Sequence, residues 1–355
     1  MSQHISFPVK RICWSQYEHE TPILLQEANG PCPLIALVNT LLLQNDVHKL
    51  EAELNPKSNS NNVDSKHIES VAKVRSLLNR NLDSRVALSE VLACLGDVLL
   101  DIYRDEDSSV VNKLLESLPL LHTGLSVDPN LYEGGFAQGD LGQQMFEAFG
   151  LVFVHGWLWD PSENVHEEHF RKLATFDRIQ DFLLNPKEDP VVKADLHQWL
   201  DRHSTQLTAH GLKVLDARLE AGSLAVFFRN NHFSTIYKAH EHDFYSLITD
   251  SSLASNKCVW QSIISVSGKD DLFFTGDFVP LSENSESVPF VSHEDLELVR
   301  QLQEEEDAAM AQRMQKRYDD RQPKTLPKEL EKPKEKKGKR SEGVPKKGKL
   351  SCVIT

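Results

Sequence analysis

The chain has 355 residues, 40% of them hydrophobic, and a net charge of −14. This is enough apolar material for a sizeable core, yet no apolar run reaches the roughly 18 residues of a membrane-spanning helix. The acidic balance argues against a nucleic-acid partner, and five scattered cysteines without a Cys-x-x-Cys pair argue against a disulfide framework or a structural zinc; no metal or cofactor is expected.

Taken in chain order, the N-terminal stretch MSQHISFPVKRICW lacks the apolar centre of a signal peptide, which implies a cytosolic, reducing setting with free thiols. Pro8, Pro22, Pro31 and Pro33 punctuate an extended start, and the apolar run after Pro33 predicts a helix to Gln44. Asn55 to His67 is polar and reads as a surface loop. Helical spacing follows in IESVAKVRSLLNRNL and LSEVLACLGDVLLDIYR; Cys94 falls on the apolar face of the second and reads as core. GLVFVHGWLW, from Gly150 to Trp159, predicts a buried strand and then a turn or second strand. FRKLATFDRIQDFLLN and VVKADLHQWLDRHSTQL return to helical period. SLAVFFRNNHFSTIYKAHEHDFYSLITD predicts three short strands that turn at Asn230-Asn231 and around His240 to His242.

These readings give an α+β body over residues 1–285, a linker at 286–294, an isolated charged helix at 295–318, and a disordered tail at 319–355. From Lys324 to Leu350 there are eleven Lys or Arg against four Glu, so the tail carries +7 and the rest −14 − 7 = −21. The basic tail is suited to an anionic membrane surface.

Cys32 lies between two prolines at the head of the first helix. Residues before proline are driven to extended backbone, and Pro33 fits a first helical turn. The thiol is thereby expected at or near the N-cap, where the helix dipole favours a thiolate. The plain alternative is a packed free cysteine, which is all that Cys13 and Cys258 suggest. A thiolate nucleophile needs a base. Of fifteen histidines, His232 is best placed, opening a strand straight after the Asn-Asn turn; His155, beside a glycine and two tryptophans, looks structural. Gln26, six residues before Cys32, is placed to turn its amide back toward the thiol and form an oxyanion hole with the Cys32 N–H. Thr249 and its rival Asp250 alternate in facing, so at most one of them orients the imidazole.

The segments PILLQEANGPCPLIALVNTLLL, VHGWLWDP and LAVFFRNNHFSTIYK…FYSLITD together resemble the MINDY family of deubiquitinating cysteine proteases over roughly residues 8–280. The resemblance implies a divergent papain-like fold and hydrolysis of isopeptide bonds in polyubiquitin, with preference for the proteasome-targeting lysine-forty-eight linkage. It implies Cys32 as nucleophile, His232 as base and Gln26 as oxyanion donor, and it favours Thr249 over Asp250. Two other readings share these residues: a catalytically weak ubiquitin-binding adaptor tethered to membranes, and a transglutaminase-like acyltransferase.

The segment from Asp295, DLELVRQLQEEEDAAMAQR, places Leu296, Leu298, Val299 and Leu302 on one stripe with acids behind. It is similar to an inverted ubiquitin-interacting helix, departing from that pattern where Val299 replaces an alanine. The final CVIT has the form of a prenylation box at Cys352, although Thr355 is not a usual last residue. The lysine run upstream supplies the second anchoring signal. The expected protein is a monomer.

Overall fold

A computed structural model describes residues 5–281, apart from 28–29, 55–61, 105–107, 164–166 and 241. The charged helix, the basic tail and Cys352 lie outside the described residues.

The extended start forms an antiparallel hairpin, β1 (Ser6–Trp14) and β2 (Tyr17–Leu24). The first helix, α1 (Cys32–Leu54), is longer than its apolar run predicts, and α2 (Asn62–Arg80) begins inside the segment read as a loop. Polarity misled there: the helix needs an apolar stripe only from Ile68 onward, and its first turns are free to be polar. A short strand, β3 (Arg85–Ala87), pairs with β1, giving a three-stranded sheet of order β2-β1-β3. Helices α3 (Leu88–Ile102), α4 (Ser108–Ser117), α5 (Leu120–Thr123) and α6 (Leu141–Ala148) lead to β4 (Phe153–His155).

The segment read as continuously helical after Phe170 is two helices, α7 (Glu167–Leu173) and α8 (Phe176–Leu184). They are separated at Ala174, whose φ of 60° no helix accommodates. Helices α9 (Pro190–Arg202) and α10 (Ala209–Arg218) follow. The predicted three-strand meander is present as β5 (Leu224–Arg229), β6 (His232–His240) and β7 (Asp243–Leu247). Asn230 and Asn231 turn with φ of 51° and 55°, and His242 with φ of 65°. Two strands that periodicity did not announce, β8 (Trp260–Ser262) and β9 (Phe273–Phe274), complete a six-stranded sheet of order β4-β5-β6-β7-β8-β9.

Helix α1 lies on one face of this sheet. Leu34, Leu37, Val38, Leu41 and Leu42 are fully buried and share a core with Val226, Phe228 and Phe233. Alternate residues Ala225, Phe227 and Ile236 face the other way, into a core with Leu207 and Leu215 near α10. Near the far end of α1 the buried Asp46 carboxylate joins three elements. It accepts from the Trp14 indole of β1 at 3.1 Å, from the Thr21 hydroxyl of β2 at 2.5 Å and from the Arg75 guanidinium of α2. Desolvation nevertheless holds the Asp46 carboxyl above the usual carboxylate range.

Removing one member of a buried ion pair leaves the other charged and unpaired. Asp46→Ala is therefore expected to lower unfolding stability by roughly 3–5 kcal/mol, read from urea denaturation. A loss no larger than that of an exposed carboxylate would show that water replaces the pairing.

Candidate active site

Three chain segments bear on the first half of α1 and on the strand that leads into it. The first is the lead-in strand. Val9 pairs with Leu24, and the Leu25 N–H bonds Pro8 O, so the amide groups of Leu24 and Gln26 point away from β1. Gln26 uses that free edge to bond the second segment, the chain just past β7. Its N–H donates to Thr249 O at 2.7 Å, and its carbonyl accepts from the Ser251 N–H at 2.8 Å. Ile248 N–H goes to Val259 on the β8 side, so the bonding groups of Thr249 and Ser251 point toward β6. The described β6–β7 pairing extends only as far as Ile236 and Ser246. Gln26 thus wedges between the parting ends of these two strands.

The third segment is the start of β6. His232 pairs with Arg229 across the Asn-Asn turn and is half-buried. Thr235, three residues on, fixes this strand against α1: its hydroxyl lies 2.9 Å from the Thr40 hydroxyl and 3.4 Å from Ala36 O. Ala36 is one helical turn below Cys32. Burial pushes the His232 imidazole down to about 4, so the ring is neutral at neutral pH.

Cys32 is the first residue of α1, next to the N-cap position; Pro31 O starts the helix by accepting from Leu34 N–H and Ile35 N–H at 3.1 and 3.2 Å. The thiol is half-buried. The chain before it folds back tightly. Gly30 N–H donates to Glu27 O at 2.8 Å, and Cys32 N–H donates to Gly30 O at 2.9 Å. The Gln26 amide Nε2 also donates to Gly30 O, at 3.4 Å. One carbonyl oxygen therefore receives both groups that the sequence marks as oxyanion donors. A Cβ at residue 30 would lie 2.9 Å from Glu27 O and 3.0 Å from the Gln26 side chain, so only glycine permits this fold-back. Arg85 of β3 grips Glu27 with two bonds, at 2.7 and 2.9 Å, and also bonds Ser6.

The remaining sequence candidates separate cleanly. Asp250 spends its carboxylate on a local cap, accepting from the Ser252 N–H at 2.8 Å. His155 is buried and structural: its Nε2 lies 2.6 Å from Gly135 O, its Nδ1 accepts from Trp157 N–H at 3.1 Å, and burial pushes it to about 4. Cys258 is buried, with its thiol pushed up to about 12 by desolvation; Cys13 is exposed; Cys94 is half-buried against the core rather than within it. Leu296, Leu298, Val299, Leu302 and Cys352 lie outside the described residues. Sequence reading passed over Asn39 and Thr40, both fully buried. The available signal was two adjacent polar residues inside a run, Pro33 to Leu43, that is otherwise apolar.

The family model described as MINDY deubiquitinase matches residues 5–278. Ubiquitin carboxyl-terminal hydrolase MIY1 of Saccharomyces cerevisiae is 30% identical over 342 residues, covering 89% of this chain and 86% of that protein. Human ubiquitin carboxyl-terminal hydrolase MINDY-1 is 32% identical over 286 residues, covering 76% of this chain and 53% of that protein.

His155 and His232 both stay neutral in the folded protein down to about pH 4, whereas an unfolded imidazole takes up its proton near 6.5. Between those values the unfolded chain binds more protons, so folding stability falls as pH drops from 6.5 toward 4. Urea midpoints measured across this window are expected to decline with acid, and less steeply in His155→Gln. A variant as acid-sensitive as the parent would remove His155 as a source.

Proposed function

Because the chain belongs to the MINDY deubiquitinase family, we propose that it is a ubiquitin hydrolase in which Cys32 attacks the carbonyl joining ubiquitin's C-terminus to a lysine amine. The Cys32 sulfur bonds to that carbon, and His232, neutral at rest, takes the thiol proton. As the tetrahedral intermediate collapses, the C–N bond breaks and the imidazolium returns the proton to the leaving amine. Water then cleaves the thioester, with His232 again the base.

The observation that carries this reading is the Gly30 carbonyl. Its oxygen holds the place of an oxyanion, bonded at once by Gln26 Nε2 and the Cys32 N–H. For substrate to enter, Gly30 O must leave. Thr249 is the third member, since the Asp250 carboxylate is already engaged at Ser252. A helix-borne cysteine set against a mostly antiparallel sheet, with its base at a strand start, favours a divergent papain-like fold.

The finer assignments rest on sequence resemblance: preference for lysine-forty-eight-linked chains, ubiquitin binding through Leu296, Leu298, Val299 and Leu302, and membrane attachment through Cys352. An adaptor with an inert body is the second reading, and an electrophilic ubiquitin probe separates the two by forming an adduct with Cys32 or failing to.

Cys32→Ala and His232→Ala are each expected to abolish chain cleavage, and together to cost no more than either alone. Gln26→Ala should lower kcat by roughly 10²–10³ with KM nearly unchanged. A raised KM at constant kcat would make Gln26 a binding residue. A panel of defined ubiquitin chains tests the linkage preference.

Cys352→Ser should shift the protein from the membrane to the soluble fraction without altering cleavage of free chains. An unmodified C-terminal peptide in mass spectra of protein from its native host would sink the lipidation.

A further inference from the structure

We infer that Asn39 is a positioning residue for catalysis, setting the height of the Gln26 strand against the Cys32 helix. The inference rests on Gln26 serving as an oxyanion donor. Asn39 is fully buried. Its Oδ1 accepts from the Leu24 N–H at 2.8 Å, and its Nδ2 donates to Leu24 O at 2.9 Å. The side-chain amide thus gives Leu24 the two bonds that a neighbouring strand would give. These are the same outward-pointing backbone groups that, two residues on, Gln26 uses toward Thr249 and Ser251. The free edge of β2 is occupied first by a helix side chain and then by the chain beyond β7.

The spacing makes the contact relevant to the reaction. Asn39 follows Cys32 by seven residues, about 10 Å along the helix and about 20° from the same face. Gln26 lies two residues beyond Leu24, about 7 Å along the strand toward the loop that returns to Cys32. The two bonds at Asn39 therefore bring Gln26 to within about 4 Å of the height of Cys32. A bidentate contact of this kind fixes register as well as distance, because neither bond survives a one-residue slip. An apolar residue of the same size would fill the volume and leave the strand free to slide.

A double-mutant cycle tests this with the full chain. Asn39→Ala is expected to lower kcat by roughly 10- to 100-fold at nearly constant KM, the cost of misplacing a catalytic group by about 1 Å. Alkylation of Cys32 by iodoacetamide should keep its parental rate, since the thiol stays on its helix. In a Gln26→Ala background the same change should cost less than about two-fold, because the group it positions is gone. Equal losses in both backgrounds would overturn the inference and make Asn39 a general packing residue. Parental kcat in Gln26→Ala alone would instead overturn the oxyanion reading. Asn39→Ser, which keeps a polar group at the site but is too short to make both bonds, supplies the cycle if Asn39→Ala does not fold.

Discussion

From Leu34 to Leu43 helix α1 is buried on all sides, and this governs where the site can be built. A helix enclosed in protein has no solvent in which to place a polar side chain, so each polar atom on it must find a fixed partner. Asn39 meets Leu24, Thr40 meets Thr235, and Asp46 meets Trp14, Thr21 and Arg75. Leaving the Leu24 N–H or C=O buried and unpaired would cost about 1–3 kcal/mol each. The adjacent residues Asn39 and Thr40 tie the helix to two different strands, one leading to Gln26 and the other starting at His232. The proposed nucleophile, donor and base are thereby referred to one helix.

Much of this arrangement was legible in the sequence where local chemistry is restrictive. Gly-Pro-Cys-Pro admits few backbones, and it marked both the head of α1 and the thiol. Asn-Asn between apolar strands marked the turn before His232, and the positive φ of both residues is the conformation for which Asn is suited. Reading failed where structure depends on distant partners. β3, with three residues, and β9, with two, have no periodicity to detect and exist only through pairing with β1 and β8. The start of α2 was hidden because a polar first turn and a polar loop have the same composition. The cap that Asp250 makes to Ser252, which bears on its rivalry with Thr249, is not revealed by alternation alone.

Burial also shapes the chemistry of the two histidines, with different results. Both imidazoles are pushed to about 4 by desolvation. His155 is bonded at both ring nitrogens, which fixes its tautomer and places it in the wall of the fold. For His232 desolvation is the cause, and among the described residues no hydrogen bond engages its ring. A neutral imidazole with a nitrogen still available is what proton transfer requires; one with both nitrogens occupied is not. The distinction between the proposed base and the scaffold histidine lies in the bonding, since the direction and size of the shift are shared.

The bonds of Gly30, just before Cys32, are local by comparison. Gln26, Cys32, His232 and Thr249 sit on or beside elements held by long-range bonds. Gly30 O is held by two donors and by the short turn to Glu27, itself gripped from β3 by an exposed Arg85. An exposed ion pair contributes little, of the order of 1 kcal/mol or less. Releasing the carbonyl therefore disturbs local bonds and leaves the bonds that Asn39 and Thr40 make intact. In the proposed mechanism both donors then face the carbonyl oxygen brought by the substrate, with their spacing already set. The tight elements fix the geometry proposed for the reaction, and the close approach of residue 30 to Glu27 O and to the Gln26 side chain is why the one residue in this stretch without a side chain lies between Gln26 and Cys32.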